Sequence, residues 1–324
     1  MSSSNKLSQL VLGILALFTA FAFITSNFGW KIHLELLSHF QAQYLAIAAI
    51  LLVILLLLRH KWHICIGLFL CTILSLPILT WYLPPRYLFD SSETADLKVL
   101  VANINTQNTS YDKVIELVRR EKPDLAIFME VDEVWQTQLD SLKDLLPYSS
   151  GQSSAYNLGL LVYSNQSLND SQVEFFGTER NASVVAQLTV SQKPVTLLAT
   201  HPLPPVKPSF FQSRNQQLNR IIQYLTEIDD RTILAGDLNT TMWSPYYRLL
   251  VKKTGLNNTR KGFGILPTWF TEGTYDKIPD WSTALFSIPI DHCLISPGLK
   301  TVSISTGNNI GSDHLPLIIS LRVI

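Results

Sequence analysis

Three long apolar segments in the first 83 residues constrain this chain more than any other feature of its sequence. They cover residues 7–25, 36–58 and 62–83, and few polar side chains interrupt them. At 1.5 Å of rise per helical residue, segments of this length span about 30 Å, which is the hydrocarbon thickness of a bilayer. Because only helices and closed barrels satisfy their backbone groups in lipid, the sequence predicts three transmembrane helices with a lipid bilayer as their partner.

The basic residues that flank these segments predict a topology. Lys6 precedes the first segment, and Arg59 and Lys61 lie between the second and the third. The positive-inside rule therefore places the N-terminus and the second loop in the cytoplasm, and the rest of the chain outside it. Alternatively, the first segment is a cleaved signal peptide, because small residues occur at Ala20 and Ala22. The two remaining helices would then leave the rest of the chain on the same side of the membrane.

Charge divides the chain into two unlike regions. Only 5 of the 25 basic and 3 of the 25 acidic residues occur up to Glu93, so 20 basic and 22 acidic residues follow. Pro84, Pro85 and a short polar stretch predict a linker. We therefore expect a membrane region at 1–83, a linker at 84–96 and a globular domain at 97–324. A disordered chain and a wholly soluble protein are excluded, and three cysteines are too few for a disulfide framework.

Residues 97–324 mix strand-like and helix-like apolar patterns. The opening predicts a strand over 98–103, a helix over 111–120 and a strand over 125–129. A longer helix is predicted at about 211–227, and a short one after Ser244. Adjacent strands with interposed helices predict an α/β (α+β) domain whose sheets need not be purely parallel.

Polar residues of the types that bind metal or phosphate follow most of the predicted strands. They are Asn103, Asn105, Glu130, His201, Asp237, Asn239, Asp291, Asp313 and His314. Each alone is ordinary, because Asn commonly forms turns and an Asp–His pair often forms only a local hydrogen bond. Together they indicate one crevice, since strand ends that point the same way converge at one edge of a sheet.

These residues resemble the motifs of the endonuclease/exonuclease/phosphatase superfamily, which is DNase I-like. The resemblance covers residues 97–324. It rests on six segments in the family's order: 97–105, 123–130, 199–205, 236–241, 290–292 and 311–316. The Trp243-Ser-Pro and Pro267-Thr-Trp269 elements, with the leading apolar segments, are similar to the membrane-attached bacterial branch. Met129 departs from the pattern, because the family usually has Gln there, but this change removes no metal ligand.

The resemblance implies a four-layer α/β/β/α sandwich of two mixed sheets, preceded here by the transmembrane helices. It also implies a Mg²⁺ (or Mn²⁺) site at one end of the sheets. Carried over position by position, Glu130 is the main metal ligand, and Asn103 and Asp313 lie near the metal directly or through water. Such oxygen ligands suit these hard cations better than zinc.

The resemblance further implies five catalytic residues. Asp237 orients or deprotonates the attacking water, while Asn239 and His201 contact the phosphate. His314, held by Asp291, is the second catalytic imidazole. These roles agree with the chemistry of phosphoester hydrolysis, which needs an aligned water, neutralisation of the phosphate oxygens and help for the leaving alkoxide.

Three further residues are candidates for substrate contact. Arg214 could clamp a phosphate, and Trp243 and Trp269 could stack on a substrate. The alternatives are a solvated arginine on a helix and two packed aromatics. His292 follows Asp291 in a predicted strand, so we expect it to point to the opposite face and to be structural.

Three functions are compatible with these residues. The first is a membrane-anchored, metal-dependent phosphodiesterase or nuclease that acts outside the cytoplasm of a bacterium. The second is a phospholipid or small-molecule phosphoesterase. The third, a non-catalytic membrane binding protein, is disfavoured because Glu130, Asp237 and His314 are all present. The sequence indicates a phosphate-ester substrate, with nucleic acid as one candidate, and it contains no signal from which a protein partner can be inferred.

The position of the linker predicts an orientation. It enters the first strand near Leu97, whereas Asn103 lies at the far end of that strand, about 20 Å away. We therefore expect the crevice to open on the side opposite the tether. That orientation favours a diffusing substrate.

Overall fold

The N-terminal region is helical over most of its length. The computed structural model describes residues 3–83, 94–177, 181–228, 231–272 and 279–324. The N-terminal helices are α1 Ser3–Phe28, α2 Ile32–Ser38, α3 Gln41–Leu58 and α4 Lys61–Leu79. Of these, α1, α3 and α4 are long and apolar enough to cross a membrane. The second predicted segment begins too early, because residues 36–40 belong to α2 and the turn after it. The predicted linker falls mostly outside the described residues, so the domain boundaries stay a prediction.

The three long helices pack through small residues. Ala22 of α1 and Ala48 of α3 are fully buried in one apolar cluster with Leu15 and Leu55. Gly67 of α4 faces the same cluster, where an added Cβ would collide with the side chain of Leu55. Small residues at helix contacts allow the close approach that is common in membrane bundles.

The globular domain contains two six-stranded mixed sheets. The strands are β1 Leu97–Asn103, β2 Leu125–Met129, β3 Tyr148–Gln152, β4 Leu160–Ser164, β5 Asn169–Glu174, β6 Ser183–Val190, β7 Lys193–Thr200, β8 Arg231–Asp237, β9 Asn257–Asn258, β10 Asp291–Ile295, β11 Leu299–Thr306 and β12 Leu317–Val323. The first sheet has the order β11-β12-β1-β2-β4-β3, and the second has the order β5-β6-β7-β8-β10-β9. The helices are α5 Tyr111–Glu121, α6 Glu133–Leu139, α7 Pro208–Thr226, α8 Pro245–Thr254 and α9 Asp280–Phe286.

Successive side chains of a strand point to opposite faces of its sheet, and this alternation produces the four layers. In β1, Val99 and Val101 face the second sheet and share a core with Leu197 of β7. Leu100, on the other face of β1, packs with Leu117 of α5. Because both faces of the central strands are covered, these strands are apolar at nearly every position. The predicted α/β/β/α sandwich is confirmed.

Two parallel strand pairs bring the polar strand ends together. β1 pairs in parallel with β2, and β7 pairs in parallel with β8. Helices α5 and α7 make the crossovers that parallel pairing requires. The carboxyl ends of the four strands, and the residues directly after them, therefore lie at one end of the two sheets.

The globular domain lies with one flank against the membrane region. The Ser26 hydroxyl donates to the carbonyl oxygen of Trp243 at 3.2 Å. The His39 ring is 3.0 Å from the Thr241 hydroxyl. These contacts involve the loop that begins at Asn239, so one edge of the crevice lies beside the N-terminal helices. The linker lies mostly outside the described residues, so the expected orientation of the crevice relative to it stays a prediction.

Candidate active site

Asn103, Glu130 and Asp237 meet at the floor of the crevice between the two sheets. The Asn103 amide is 2.9 Å from Glu130 Oε1 and 3.3 Å from Asp237 Oδ2. Asn103 ends β1, Glu130 follows β2 and Asp237 ends β8, so each sheet contributes to the contact. The structure thus brings together residues separated by up to 134 positions.

Two imidazoles flank the carboxylate of Asp237. His201 Nε2 lies 3.5 Å and His314 Nε2 lies 3.7 Å from Asp237 Oδ2. On its other side, His314 Nδ1 lies 2.9 Å from Asp291 Oδ2, which is the predicted pair. Antiparallel pairing of β10 with β8 places Asp291 directly opposite Asp237.

The carboxylates determine the charge state of these imidazoles. Burial alone would lower the pKa of His314, but Asp291 and Asp237 outweigh this effect and raise the pKa to about 10. Burial is likewise outweighed at His201, where Asp237 and Glu130 raise the pKa above its usual range. At neutral pH the His314 ring therefore favours the protonated, positively charged form.

Asp313 accepts hydrogen bonds from three side chains at the rim of the site, of which the longest comes from Ser312 Oγ at 3.4 Å. Asn105 Nδ2 donates to Oδ1 of Asp313 at 2.8 Å, and Trp269 Nε1 donates to its Oδ2 at 3.1 Å. Neither the pattern nor the resemblance assigns a role to Asn105, although its place after β1 is a signal that could have assigned one. Trp269 lies next to the site as predicted, but its indole N–H is used by Asp313.

The residues around Glu130 fit a hard divalent cation. Burial raises the pKa of Glu130 above its usual range, and the nearby His201 and Asn103 only partly offset this effect. A cation bound to the carboxylate would reverse that shift. Asp237, Asp291 and His314 also lie close enough to hold a metal ion. However, Asp291 and His314 already share a hydrogen bond, so the oxygen donors near Glu130 fit Mg²⁺ better.

Several residues of the site have unusual backbone conformations. Glu130, Asn239 and Asn105 have φ angles of 61°, 50° and 57°, in the left-handed region. Gly236, at φ 142°, has no room for a side chain, because an added Cβ would collide with the carbonyl oxygen of Thr200. Residues held in such conformations persist only where the surrounding fold determines them, and they cluster at functional sites.

The predicted role of Arg214 in clamping a phosphate is wrong, and so is the alternative of a solvated arginine. Arg214 is fully buried, with Nη1 3.1 Å from Oε1 of Glu35, which belongs to the membrane region. Nη1 also donates to the carbonyl oxygen of Asn239 at 2.8 Å. Nε and Nη2 donate to the Asn215 side chain at 3.0 and 2.8 Å. Its donors are therefore used inside the protein.

Trp243 and His292 are also structural. Trp243 is 3% exposed and its indole N–H donates to the carbonyl oxygen of Pro77, so the prediction of substrate stacking is wrong. His292 Nε2 lies 2.8 Å from the carbonyl oxygen of Thr240, and Nδ1 lies 3.1 Å from the Asn258 amide. Burial lowers its pKa to about 3. The expectation that His292 faces away from the site is confirmed.

A cavity of about 490 Å³ adjoins the site. Glu130 and His201 form one wall, and Tyr156, Leu203 and Phe210 are among the residues that form the rest. Within the described part of the chain, no lysine or arginine lines it. Apart from the candidate catalytic groups, Asn157 and the Tyr156 hydroxyl, the side chains that line the cavity are apolar.

Comparisons with known proteins agree with this geometry. The sequence profile of the Endonuclease/Exonuclease/phosphatase family matches residues 100–314. The chain therefore belongs to this family of phosphoester hydrolases. No curated protein matches the chain.

Solved structures share the fold at low sequence identity. TDP2 of D. rerio, complexed with a single strand DNA product, is 15% identical with a TM-score of 0.57, covering 70% of this chain and 99% of its own. An endonuclease/exonuclease/phosphatase from Beutenbergia cavernae is 18% identical with a TM-score of 0.56, covering 71% and 72%. Sphingomyelinase C from Streptomyces griseocarneus is 18% identical with a TM-score of 0.50, covering 70% and 99%.

Proposed function

We propose that this protein is a membrane-anchored phosphodiesterase that depends on Mg²⁺ or Mn²⁺. The observation that carries the proposal is the convergence of an acidic and amide cluster with two imidazoles, His201 and His314, at one end of the sandwich. Glu130, Asn103 and Asp313 would hold the cation, directly or through water. When bound, the cation would neutralise charge on the phosphate and on the leaving oxygen.

The remaining residues act on the water and the phosphate. Asp237 accepts a hydrogen bond from the attacking water and takes its proton. His201 and Asn239 donate hydrogen bonds to phosphate oxygens. His314 is kept protonated by Asp291, so it contributes positive charge where the phosphate gains negative charge in the transition state. Arg214 holds the backbone of Asn239 and takes no part in substrate binding.

A lipid is the substrate class that the surroundings favour. The loop after Asn239 packs against the membrane region, and the adjoining cavity is lined mostly by apolar side chains and by no lysine or arginine of the described chain. A nucleic acid needs basic residues along its backbone, whereas a phospholipid needs apolar space near the membrane. We therefore place a phospholipid phosphodiester first.

Nucleic acid is the second candidate, and one observation favours it. Tyr156 is 82% exposed at the cavity that adjoins Glu130, and Phe210 lines the same cavity. Aromatic side chains beside a hydrolytic site can stack unpaired bases. The bases of a single-stranded nucleic acid are unpaired, so they could stack on these side chains.

One activity panel distinguishes these substrates. The full-length protein in a mild detergent or in liposomes is assayed with phospholipid vesicles, single-stranded DNA and RNA, each with Mg²⁺ and with EDTA. We expect Mg²⁺-dependent release of a phosphorylated head group, and no activity in Asp237→Asn. Hydrolysis of DNA or RNA alone would make nucleic acid the substrate. Full activity in EDTA or in Asp237→Asn would refute the proposed site.

We also propose that the catalytic domain lies outside the cytoplasm, with the loop at residues 59–61 inside. The support is the placement of Lys6, Arg59 and Lys61 around three helices that could span a membrane. A reporter enzyme that functions only outside the cytoplasm should be active when it is fused after Ile324. Activity of a fused reporter that functions only in the cytoplasm would overturn this topology.

A further inference from the structure

A second cavity, of about 670 Å³, lies between α1, α4 and the globular domain. Ala22 and Phe23 of α1 and Leu74 and Pro77 of α4 form its membrane side, and Trp243 is among the residues that form its domain side. No candidate catalytic residue lines it, so it is separate from the active-site crevice. Its volume is within the range of small-molecule sites in proteins.

Three basic side chains from the globular domain line this cavity. Arg248 and Lys252 lie one turn apart on α8, and Lys261 lies in the loop that follows. Arg248 donates a hydrogen bond to the carbonyl oxygen of Ser26. Both lysines are exposed, and neither has an ion-pair partner among the described residues. No aspartate or glutamate of the described chain lines the cavity.

We propose that this cavity binds one phospholipid with an anionic head group. Its acyl chains would lie between α1 and α4, which are apolar and long enough to cross the membrane. Its phosphate would lie at Lys252 and Lys261. Basic pockets beside transmembrane helices suit anionic head groups, because each lysine near the membrane surface adds a favourable charge interaction.

The two lysines and the apolar walls of this cavity together favour an anionic phospholipid over other ligands. A neutral lipid would satisfy the apolar walls but would leave the two lysines without a counter-charge. A soluble phosphate ester would satisfy the lysines but would leave the apolar walls between the helices unfilled. Only an amphiphile with a negative head group matches both parts, and it would join the membrane region to the globular domain.

Native mass spectrometry of the full-length protein in a neutral detergent tests this proposal. The probes are phosphatidylglycerol and phosphatidylcholine, each titrated separately. We expect one phosphatidylglycerol to bind more tightly than phosphatidylcholine. The double variant Lys252→Gln/Lys261→Gln should weaken phosphatidylglycerol binding about 25-fold, at about fivefold for each lysine. Lys253→Gln, at an exposed lysine of α8 that does not line the cavity, is the matched control.

A steric pair tests the location. Leu76 lines the cavity, so Leu76→Trp should block binding, whereas Leu79→Trp, at an exposed site on the same helix, should not. Equal affinity for the two lipids, an equal loss in Lys253→Gln, or full binding to Leu76→Trp would overturn the proposal. Loss of binding in Glu130→Gln would place the lipid in the catalytic crevice instead. Every readout is binding, so failure of the proposed enzymatic activity does not affect the result.

Discussion

Glu35 and Glu130 are buried carboxyl groups in two regions of this molecule, and their pKa values are shifted in opposite directions. Burial alone would raise the pKa of Glu35, but His39 and Arg214 outweigh it and lower the pKa to about 2. Its Oε1 accepts hydrogen bonds from Ser244 at 2.8 Å and Thr240 at 3.1 Å. At Glu130 burial prevails, and the pKa is raised.

The difference lies in what the protein supplies to each carboxylate. Glu35 has cationic and hydroxyl partners from both the membrane region and the globular domain, so its charge is neutralised within the fold. Glu130 receives one amide hydrogen bond, from Asn103, and its remaining charge is left for a cation. The first arrangement stabilises a contact between regions, and the second is poised for binding.

Removal of the Glu130 carboxylate is expected to have the largest effect on activity. Glu130→Gln should lower phosphoester hydrolysis at least about a hundredfold, because the proposed main ligand of the cation would be lost. Mg²⁺ should raise the melting temperature of the wild-type protein but not that of the variant, since only a bound ligand shifts the unfolding equilibrium. Glu116→Gln, at an exposed glutamate on α5, is the control for both measurements.

The stability of Glu130→Gln without metal has a defined sign. A carboxyl whose pKa is raised in the folded state contributes stability at low pH, and this contribution is lost as the pH rises through the raised pKa. Above the raised pKa the ionised Glu130 therefore destabilises the metal-free fold, and there the variant should melt at the same or a higher temperature. A large loss of stability would mean that Glu130 is a structural residue.

Removal of the Glu35 carboxylate is expected to have the largest effect on stability. Glu35→Gln should cost about 3–5 kcal/mol, because Arg214 would remain buried without its counter-charge. The measurement is thermal or denaturant unfolding of the full-length protein in detergent. Replacement of both partners by apolar residues, in Glu35→Leu/Arg214→Met, should restore most of the lost stability. If the double variant is no more stable than Glu35→Gln, the ion pair is not the cause.

Acid should remove the contribution of Glu35 selectively. A carboxyl with a lowered pKa stabilises the fold above its usual value of 4.5, and this stabilisation is lost as the pH falls from 4.5 towards 2. The difference in stability between the wild-type protein and Glu35→Gln should therefore be constant above about pH 5 and shrink below pH 4.5. A difference that does not change down to pH 2 would contradict the assigned pKa.

The apolar pattern predicted strands and helices, whereas the four layers and the residues of the crevice were predicted from the resemblance of the six segments to the superfamily. The strands that were predicted at 98–103 and 125–129 are β1 and β2, within one residue at each end. Apolar periodicity is a local property of the sequence, so it predicts strands without any knowledge of the tertiary contacts. The polar strand ends converge as expected, because parallel pairing brings the ends of β1 and β2 to one edge.

The contact between the two regions was not predictable from local pattern. Arg214 and Glu35 are separated by 179 positions, and no periodicity relates them. A lone acid between two apolar segments has the same sequence signal whether it is solvated or paired. The flank of the globular domain that contacts the helices was not predictable either, because the point of entry of a linker does not specify which flank of a domain is apolar.

An exposed hydrogen bond at the same contact is expected to have the smallest effect. The Tyr246 hydroxyl donates to the carbonyl oxygen of Trp30 at 2.8 Å, at an exposed position. Water can replace this partner, so Tyr246→Phe should cost no more than about 0.5–1.5 kcal/mol, well below the cost of Glu35→Gln. Tyr148→Phe, at an exposed tyrosine of β3, is the matched control, and both are measured by the same unfolding experiment. A cost for Tyr246→Phe equal to that of Glu35→Gln would show that exposed hydrogen bonds stabilise the contact between the two regions as much as the buried carboxylate of Glu35 does.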